Sequence, residues 1–561
     1  MKTSSQQRID LYRQKGWWGD ATLHGQLELH ARENPDLLAV ADQPNRKELT
    51  GDAPRRLSYA ELHAASTQIA CQLLNKGIGA EDRIIVQLPN IVELVICYMA
   101  ASKIGVIISP VPIQYGSHEL DHIRTTISPA AILTVDHFGT TELAQNAATI
   151  EQDNVLLVVF GIDLIFTTEN DPGSDKQLSN YQRTHPSDAD DILTICWTSG
   201  TTGTPKGVPR SHNMWFATAR SCVEAGDYRA GDRFLNIFPL VNMSSIGGFL
   251  FPALLLGCSI VLHHPLDPAL YLAQLQNEKI TFTLAPPALL NQLAKSVDMW
   301  GQFNFSHMRS IGSGSAPLAP WMIEVFNQQY GLEVINFYGS NEGISLSCTP
   351  LHTADAEVRA TMFPRVGCGI DHFDFYSNTA LQSKVVDTET GDVIVESGKV
   401  GELLFAGSTV FDGYLGTDNT ELFSDDGYFH TGDLVEICGD PPWFYRIAGR
   451  SKDIINRGGM KISPVEIDIL LEGLSSSVES AVCAYQDDQL GEKVCACVVV
   501  NPEADDLNLQ DIADFLLDKG LAKFKLPERI EFFESLPRNP LGKVQRFILE
   551  ELVSQRHEEF K

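Results

Sequence analysis

The sequence is short of positive charge. Its 561 residues include 42 Lys and Arg against 72 Asp and Glu, which gives a formal net charge of −30. Nucleic-acid binding needs clustered basic side chains that neutralise phosphates, so this balance argues against nucleic acid as the main partner. An anionic membrane surface is disfavoured for the same reason. The acidity is typical of a solvated surface that favours solubility.

The sequence also lacks a long hydrophobic run. The first ten residues, Met1–Asp10, are polar and contain no apolar signal core. The most apolar stretch, Ile246–Leu262, has 17 residues and is interrupted by Pro252, whereas a transmembrane helix needs about 20. We therefore expect no transmembrane segment, and we expect Ile246–Leu262 to form a buried hairpin or a strand–helix pair.

Cysteines are present but not grouped. The 11 cysteines form neither a Cys-x-x-Cys pair nor a Cys/His cluster with zinc spacing. We therefore expect no structural metal. Buried and reduced thiols are typical of cytoplasmic proteins, so the sequence predicts a cytoplasmic location.

Helix and strand signals alternate along the first part of the chain. Ser58-Tyr59-Ala60-Glu61 has the pattern of a capping box, in which the serine caps a helix and the glutamate reaches back to it. An apolar strand is predicted at Ile84–Leu88, a helix at Val92–Lys103 and a strand at Val106–Ser109. This β-α-β order is typical of a buried, mostly parallel sheet.

The pattern changes twice further along the chain. A similar rhythm runs over Ile192–Val334, and short strands separated by turns follow at Gly401–Asp433. A second capping-box pattern, Ser463–Glu466, begins a compact αβ unit. We predict an α/β fold with a large N-terminal domain, residues 1–451, built from two mostly parallel sheets flanked by helices plus a small β subdomain. Its subdomains are expected at about 1–190, 191–365 and 366–451, and a small α+β domain at 452–561.

One segment is unusually rich in groups that bind phosphate. The stretch Trp197–Gly207 contains five hydroxyl side chains, three glycines and Lys206, and an apolar strand leads into it. Glycines let backbone N–H groups approach an anion, hydroxyls donate to its oxygens, and lysine adds charge. A Walker A loop would have glycine before the lysine, but Pro205 stands there. The segment is therefore either a phosphate loop of another class or a polar surface turn.

Further blocks follow this loop in a recognisable order. Together they resemble the adenylate-forming superfamily of acyl-CoA synthetases, peptide-synthetase adenylation domains and firefly luciferase, and the resemblance extends from about Leu57 to Arg546. The blocks are Gly314–Pro317, Asn336–Glu342, Tyr428–Asp433, Gly449–Asp453, Arg457–Ile462 and Pro537–Lys543.

The resemblance implies roles at the nucleotide. Glu342 and Thr198 would hold Mg²⁺, which bridges the ATP phosphates, and a carboxylate suits this hard cation. Asp433 would accept the two ribose hydroxyls, with Arg450 assisting. The catalytic residues would be Lys543, Glu342, Thr198 and Lys206, and Tyr338 would stack on adenine. The implied ATP/AMP-binding residues are Thr198, Ser199, Gly200, Thr201, Thr202, Gly203, Lys206, Gly314, Ser315, Ala316, Tyr338, Gly339, Ser340, Asn341, Glu342, Asp433, Arg450 and Lys543.

The resemblance also implies a two-step cycle with a moving C-terminal domain. Lys452 would be the hinge, because it stands where the family has that residue. In one orientation Lys543 neutralises the carboxylate and the α-phosphate while the acyl-adenylate forms. In the other, the loop of Gly458, Gly459, Met460 and Lys461 admits the pantetheine arm of CoA.

The expected acid pocket is mostly apolar and departs from the family pattern at two positions. Asn242 stands where many acyl-CoA ligases have a histidine or an aromatic residue, and Asn341 replaces the usual threonine before the magnesium glutamate. Small residues after Glu342, such as Gly343, are expected to leave depth beyond the carboxylate. The expected lining residues are Phe238, Asn242, Met243, Ile246, Phe337, Gly343 and Leu346.

The sequence therefore indicates an ATP-dependent carboxylic acid–CoA ligase that works through an acyl-adenylate, on a medium- or long-chain fatty acid. Mg²⁺ is the expected cofactor, and ATP and CoA are the co-substrates. The alternative is an enzyme that adenylates an aryl or cyclic acid and passes it to CoA or to a carrier protein. A nucleotide-binding regulator without turnover is a third reading. Retention of Lys543 argues against it, because binding alone does not need that lysine.

Overall fold

A computed structural model describes most of the chain. The described residues are 1–149, 155–198, 205–296, 300–314, 318–369, 373, 375–458, 460–474, 476–487, 489–501, 507–539 and 543–559, with the backbone alone for 461 and 557–559.

The strands are short in the first two sheets and longer near the C-terminus. They are β1 Leu38–Ala41, β2 Arg56–Ser58, β3 Arg83–Gln87, β4 Ile107–Pro110, β5 Ala131–Thr134, β6 Leu156–Val159, β7 Ile192–Thr198, β8 Lys206–Ser211, β9 Arg233–Asn236, β10 Ser259–Leu262, β11 Phe282–Leu284, β12 Ser310–Gly314, β13 Glu333–Gly339, β14 Ser345–Cys348, β15 Met362–Pro364, β16 Leu381–Val386, β17 Val393–Ile394, β18 Val400–Gly407, β19 Phe429–Cys438, β20 Phe444–Arg450, β21 Ile455–Arg457, β22 Met460–Ile462, β23 Ser477–Asp487, β24 Gly491–Val500 and β25 Arg529–Phe532.

The helices alternate with strands through the first two sheets. They are α1 Gln6–Gln14, α2 Leu23–Glu33, α3 Arg46–Thr50, α4 Tyr59–Asn75, α5 Val92–Ile104, α6 Ser117–Ile127, α7 Leu143–Ala148, α8 Pro172–Thr184, α9 His212–Gly226, α10 Met243–Ser245, α11 Phe251–Leu256, α12 Pro268–Asn277, α13 Pro287–Lys295, α14 Pro320–Tyr330, α15 Ala356–Thr361, α16 Tyr376–Ala380, α17 Pro464–Leu471, α18 Leu509–Asp518 and α19 Arg546–Glu559, with a π-helical turn at Ile246–Leu250 and a 3₁₀ turn at Lys523–Lys525.

Four sheets organise the molecule and confirm the predicted α/β class. The first has the order β6-β5-β3-β4-β7-β8 and is parallel except between β7 and β8. The second, β14-β13-β12-β11-β9-β10-β1-β2, is parallel except at its two ends. The third, β15-β20-β19-β18-β16-β17, is antiparallel. In the fourth, β22-β21-β24-β23 is antiparallel, and β25 joins β24 in parallel.

The sheets do not follow the subdomain boundary expected near residue 190. Strands β7 and β8, which lie beyond it, belong to the first sheet, while β1 and β2, near the start of the chain, belong to the second. The reason is a long-range pairing in which Val40 and Ala41 of β1 lie beside Ile260 and Val261 of β10. Local sequence patterns carry no information on such a partner.

The main hydrophobic core lies around α4, α5 and α9. Helix α5 is buried along its whole length, which explains its nearly continuous apolar sequence. The apolar stretch Ile246–Leu262 forms the π turn, α11 and β10, so the prediction of a buried helix and strand is confirmed. Of the helices in the described part of the chain, none is long and apolar enough to cross a membrane.

The two capping patterns differ in their outcome. At the start of α4, the Glu61 amide donates to Ser58 Oγ, and the Ser58 amide donates to the Glu61 carboxylate, so this capping box is confirmed. At α17, Ser463 Oγ accepts from the Glu466 amide, but the Glu466 carboxylate binds Lys525 Nζ instead of reaching back. A lysine from a distant segment therefore takes the place of the second half of the box.

Candidate active site

The predicted phosphate loop lies in the sequence between β7 and β8, the edge strand of the first sheet. Thr198 is the last residue of β7 and pairs with Lys206, the first residue of β8. The Lys206 ammonium lies 4.8 Å from the centre of the Tyr414 ring. Several predicted site residues lie outside the described part of the chain, namely Ser199, Gly200, Thr201, Thr202, Gly203, Ser315, Ala316 and Gly459.

Glu342 lies in a turn after β13. Its side chain is buried, at 8% exposure, and its Oε1 accepts a 2.8 Å hydrogen bond from the Tyr414 hydroxyl. Burial, followed by the Glu342 charge, raises the pKa of Tyr414, so the tyrosine stays protonated and keeps donating. The Glu342 carbonyl is held by the Phe411 amide at 2.9 Å. The carboxylate is thus oriented from two sides.

The neighbouring Asn341 connects Glu342 to the phosphate loop and to the expected acid pocket. Its Nδ2 donates to the carbonyl of Trp197, next to Thr198, at 3.1 Å. Its Oδ1 accepts from the Met243 amide at 2.9 Å. These contacts bring together the two residues expected to hold magnesium, Thr198 and Glu342.

The surroundings of Glu342 fit the expected Mg²⁺ and nucleotide. Among the described residues, the hydrogen bond to its carboxylate uses Oε1, which leaves Oε2 for a hard cation. Nearby, Ser340 Oγ is buried without a hydrogen-bond partner in the described part of the chain. Such an orphaned hydroxyl suits a phosphate or substrate oxygen.

The residues expected at adenine and ribose form a hydrogen-bonded group. Asp433 in β19 is buried, and its Oδ1 accepts from Arg450 Nε at 2.9 Å. Its Oδ2 accepts a short hydrogen bond from the Tyr338 hydroxyl. Burial, followed by the Asp433 charge, raises the pKa of Tyr338 well above its usual value. Each carboxylate oxygen keeps a second lone-pair direction, so a vicinal diol fits beside these contacts.

Lys543 is held by backbone contacts with Asn539. The Lys543 amide donates to Asn539 Oδ1, and the Asn539 amide donates to the Lys543 carbonyl, both at 2.9 Å. Lys543 is exposed to solvent, yet the surrounding protein partly desolvates its ammonium group. This desolvation is the main cause of a lowered pKa at Lys543, and the positive charge of Arg450 is the second. Lys543 is therefore within electrostatic range of the ribose group.

The expected hinge and CoA loop follow Arg450 in the sequence. Lys452 is exposed in the turn that follows β20. Gly458 stands at the tip of the β21–β22 hairpin with a φ of 56°, and its amide donates to the Leu490 carbonyl within the C-terminal domain. Met460 begins β22 and is exposed, and Lys461 follows it.

The structure brings together only part of the expected acid pocket. Met243 lies next to Gly339, since a Cβ built on Gly339 would be 3.8 Å from Met243 Cγ. Phe238 and Phe337 are half-buried and pack against different hydrophobic cores. Asn242 caps α10 by accepting from the Ser244 amide. Ile246, by contrast, is fully buried in the main core.

Two further pocket expectations are not met by the packing. Leu346 packs in the core of the third sheet. It pairs with Tyr338 across β14 and β13, so these two side chains lie on one face of the strand pair and Phe337 lies on the other. Gly343 leaves no depth beyond the carboxylate, because a Cβ there would come 2.1 Å from the Thr409 carbonyl oxygen. Position 343 requires glycine because the Thr409 backbone approaches so closely and because φ there is 114°.

Replacing Gly343 with alanine should therefore destabilise the turn that carries Glu342. The added methyl group must push away the Thr409 backbone, and we expect a loss of about 1–3 kcal/mol in unfolding free energy. Thermal unfolding measures the effect. Gly391→Ala is a control for positive φ alone, since Gly391 also has a positive φ but a Cβ there meets nothing within 4 Å. Equal losses in both variants would contradict the close-approach explanation.

Residues that sequence reasoning missed complete the site. Tyr414 orients Glu342 and Lys206, and the buried Arg210 donates to the Asn341 carbonyl at 2.9 Å. Neither residue carries a local sequence signal of function. Tyr414 resembles any aromatic residue in a turn, and Arg210 resembles any basic residue near the end of a strand. Their roles follow from partners far away in the sequence.

Two family models match most of the chain. The family model described as AMP-binding enzyme matches residues 27–415, and that described as AMP-binding enzyme C-terminal domain matches residues 466–543. The medium-chain fatty-acid–CoA ligase of Escherichia coli strain K12 is 29% identical, over 99% of this chain and 94% of its own. The vibriobactin-specific 2,3-dihydroxybenzoate-AMP ligase of Vibrio cholerae serotype O1 is also 29% identical, over 95% and 94%.

A solved structure shows the same architecture. ATP-bound MatB from Rhodopseudomonas palustris is similar with a TM-score of 0.76 and 27% identity, covering 95% of this chain and 99% of that one. The matched family model spans well over half of the 561 residues. The chain therefore belongs to the AMP-binding enzyme family, as the order of its motifs indicated.

Proposed function

We propose that this AMP-forming acid–thiol ligase joins an apolar carboxylic acid to CoA. In the first step, the carboxylate attacks the α-phosphate of ATP to give acyl-adenylate and pyrophosphate. In the second, the CoA thiol attacks the acyl carbon to give the thioester and AMP. The observation that carries the proposal is the hydrogen-bonded group of Asp433, Tyr338 and Arg450, with Lys543 within electrostatic range of Asp433 and Arg450.

The chain's own residues perform distinct tasks in the first step. Asp433, positioned by Tyr338 and Arg450, orients the ribose and thereby the α-phosphate. Lys543 provides positive charge where the negative charge of the transition state develops. Glu342, held by Tyr414, supplies the carboxylate for Mg²⁺, which when bound shields the charge of the phosphates.

The second step requires the other face of the C-terminal domain. In the structure Lys543 lies within electrostatic range of Asp433 and Arg450, and Gly458 contacts Leu490 within the C-terminal domain. We propose that rotation about Lys452 exchanges the two, so that the glycines of the hairpin line the path of the pantetheine arm. The exposed position of Lys452 suits a hinge.

Gly459→Leu should separate the two steps. A bulky side chain beside the pantetheine path is expected to block acyl-CoA formation by steric exclusion, while acid-dependent exchange of pyrophosphate into ATP stays near the wild-type rate. Both rates are measured on the same preparation, with Gly520→Leu as a control glycine in a C-terminal turn where a Cβ meets nothing within 4 Å. Unchanged acyl-CoA output in Gly459→Leu would remove the support for CoA as acceptor.

The acid is proposed to be a linear, medium- or long-chain one. The helical segment after Asn242 is buried except on one side, where Met243, Ser244 and Gly248 are partly accessible. A Cβ built on Gly248 meets nothing within 4 Å, whereas one on Gly247 would lie 2.6 Å from Thr218. This open side begins next to Gly339 of the nucleotide strand, so an acyl chain can extend along it from the reacting carboxylate.

A panel of acids from acetate to palmitate, with benzoate and 2,3-dihydroxybenzoate, tests the substrate class. Each buried methylene contributes about 0.8 kcal/mol, so kcat/KM should rise several-fold for every two carbons and then level off where the pocket ends. Pyrophosphate release gives the rates. A clear optimum on an aryl acid would overturn the linear acid and favour the alternative below.

The second candidate is an aryl-acid adenylating enzyme that loads CoA or a carrier protein. One observation favours it: Asn242 is buried, and its Oδ1 is engaged by the amide and hydroxyl of Ser244, which leaves its amide group to donate to a ring substituent. Comparing free CoA with a holo carrier protein as acceptor distinguishes the two. The cytoplasm is the proposed location, and the 11 free cysteines suit its reducing conditions.

A further inference from the structure

Arg210 is a cation buried at the centre of the candidate site. It lies in β8, is fully buried, and its guanidinium packs 4.2 Å from the centre of the Trp215 ring. Its Nη1 donates to the Asn341 carbonyl at 2.9 Å and lies 3.4 Å from Met243 Sδ. Its Nη2 donates to the Thr409 carbonyl at 2.9 Å, and to Met214 and Thr218 in α9. One planar group therefore contacts four separate segments.

The segment that Arg210 holds at Thr409 also holds the Glu342 turn. Thr409 Oγ1 donates to the Gly343 carbonyl at 2.6 Å. Two residues on, the Phe411 amide donates to the Glu342 carbonyl at 2.9 Å. Arg210 thus fixes the backbone on both sides of Glu342, through Asn341 and through Thr409.

The partners of Arg210 are unusual for a buried cation. Among the described residues, its polar contacts are to carbonyls, a hydroxyl and a sulfur, and none is an ion pair. Burial is the main cause that lowers its pKa to about 10. A charge that is buried without a carboxylate partner lowers the stability of the fold. The directions of the Arg210 hydrogen bonds explain why a cation stands at this position. Only the planar fork of arginine reaches several carbonyls in fixed directions.

Asn341 completes the connection in a way that threonine would not. Its amide donates to Trp197 of the phosphate-loop strand and accepts from the Met243 amide at the start of α10. A threonine hydroxyl is shorter and is borne on a branched carbon, so it would lose at least one of these two contacts. The departure from the usual threonine therefore adds a bridge between the loop and the helix that borders the acid.

We infer that Arg210 and Asn341 are positioning residues that hold the Glu342 carboxylate in register with the phosphate loop and the acid pocket. This inference rests on the proposed function for the identity of the acid and nucleotide. It assigns Asn341 to the joining of two protein segments rather than to direct contact with phosphate. Arg210 acts through backbone carbonyls and touches no substrate.

The test compares Arg210→Lys and Asn341→Thr with Arg365→Lys. Arg365 is a matched control: it is also buried and also lies over an aromatic ring, here Tyr445. It donates to a backbone carbonyl, that of Pro442, and its Nε is unpartnered like that of Arg210. Three properties are measured: kcat of pyrophosphate exchange, the Mg²⁺ concentration at half-maximal rate, and thermal unfolding. Affinity for Mn²⁺ with a non-hydrolysable ATP analogue, read by electron paramagnetic resonance, needs no turnover.

In both site variants we expect kcat to fall about tenfold, which corresponds to the loss of about one buried hydrogen bond. The Mg²⁺ requirement should rise several-fold, and Mn²⁺ affinity should fall by a similar factor. Arg365→Lys should lower the unfolding temperature as much as Arg210→Lys and leave Mn²⁺ affinity unchanged. If Arg210→Lys does not fold, Asn341→Thr alone decides the result through the same readouts.

Mn²⁺ affinity equal to wild type in the site variants would overturn the inference and reduce Arg210 to a structural role. An equal loss of affinity in Arg365→Lys would overturn it too. Failure of the proposed function looks different: wild type would bind the manganese nucleotide but turn over no acid in the panel. The comparison of Mn²⁺ affinities would still decide the role of Arg210 in that case.

Discussion

Replacing Lys543 with alanine is expected to abolish most acyl-adenylate formation and to leave the conversion of supplied acyl-adenylate into thioester almost unchanged. The lysine provides charge mainly in the transition state of the first step, and one such contact is worth about 3–4 kcal/mol, or about 10²–10³-fold in rate. The structure supports this selectivity, because Lys543 lies within the electrostatic influence of Arg450 and Asp433.

The two half-reactions are measured separately, as pyrophosphate exchange and as thioester formation from synthetic acyl-adenylate. Lys525→Ala is the control, since Lys525 lies in the same domain and pairs with Glu466 away from the nucleotide residues. An equal fall in both half-reactions would show that Lys543 does not have the assigned role.

The pH dependence of the first step follows from the same residue. Because burial lowers the pKa of Lys543, its positive charge is lost at a lower pH than that of an ordinary lysine. Adenylation should therefore decline on the alkaline side before general lysine deprotonation begins. Lys543→Arg, whose charge persists, should shift this decline to higher pH if it retains activity.

Replacing Glu342 with glutamine is expected to lower adenylation by about 100-fold, comparable to the loss of one strong electrostatic contact. Glutamine has nearly the same shape and still offers an oxygen to the Tyr414 hydroxyl, so the packing of the turn should persist. The negative charge for Mg²⁺ is lost. Added Mg²⁺ should restore part of the rate, because weaker binding is overcome by concentration.

The measurement is pyrophosphate release as a function of Mg²⁺ concentration, with thermal unfolding as a check on the fold. Glu333→Gln is the matched control, since Glu333 begins β13, the strand that precedes the Glu342 turn, and binds Arg359. A Glu342→Gln variant with the wild-type rate and Mg²⁺ dependence would remove Glu342 from the metal site.

Much of the local structure could be predicted from the sequence. The capping box at Ser58 and Glu61 forms because both partners lie within one helical turn, so local spacing is sufficient. Helix α5 is recognisable from its continuous apolar character. The motif order identified the family, and it placed Glu342, Asp433 and Lys543 among the site candidates before any contact was known.

Other expectations needed tertiary contacts. Gly343 appeared to leave room beyond the carboxylate, but the backbone of Thr409, 66 residues away, occupies that space. Leu346 appeared to line the acid pocket, yet the alternation of side chains along β14 places it in the third sheet's core. The second capping pattern, at Ser463, was incomplete because Lys525 takes the Glu466 carboxylate.

By itself, the sequence determined what depends on neighbouring residues: helix starts, buried strands, the absence of a basic surface and the set of chemical groups supplied by the motifs. Only the tertiary structure decided which of these groups meet. Tyr414 contacts Glu342 across 72 residues, and Arg210 contacts Asn341 across 131. No periodicity or spacing records such a pair, because the chain folds between the two partners, and their approach is set by how the sheets pack.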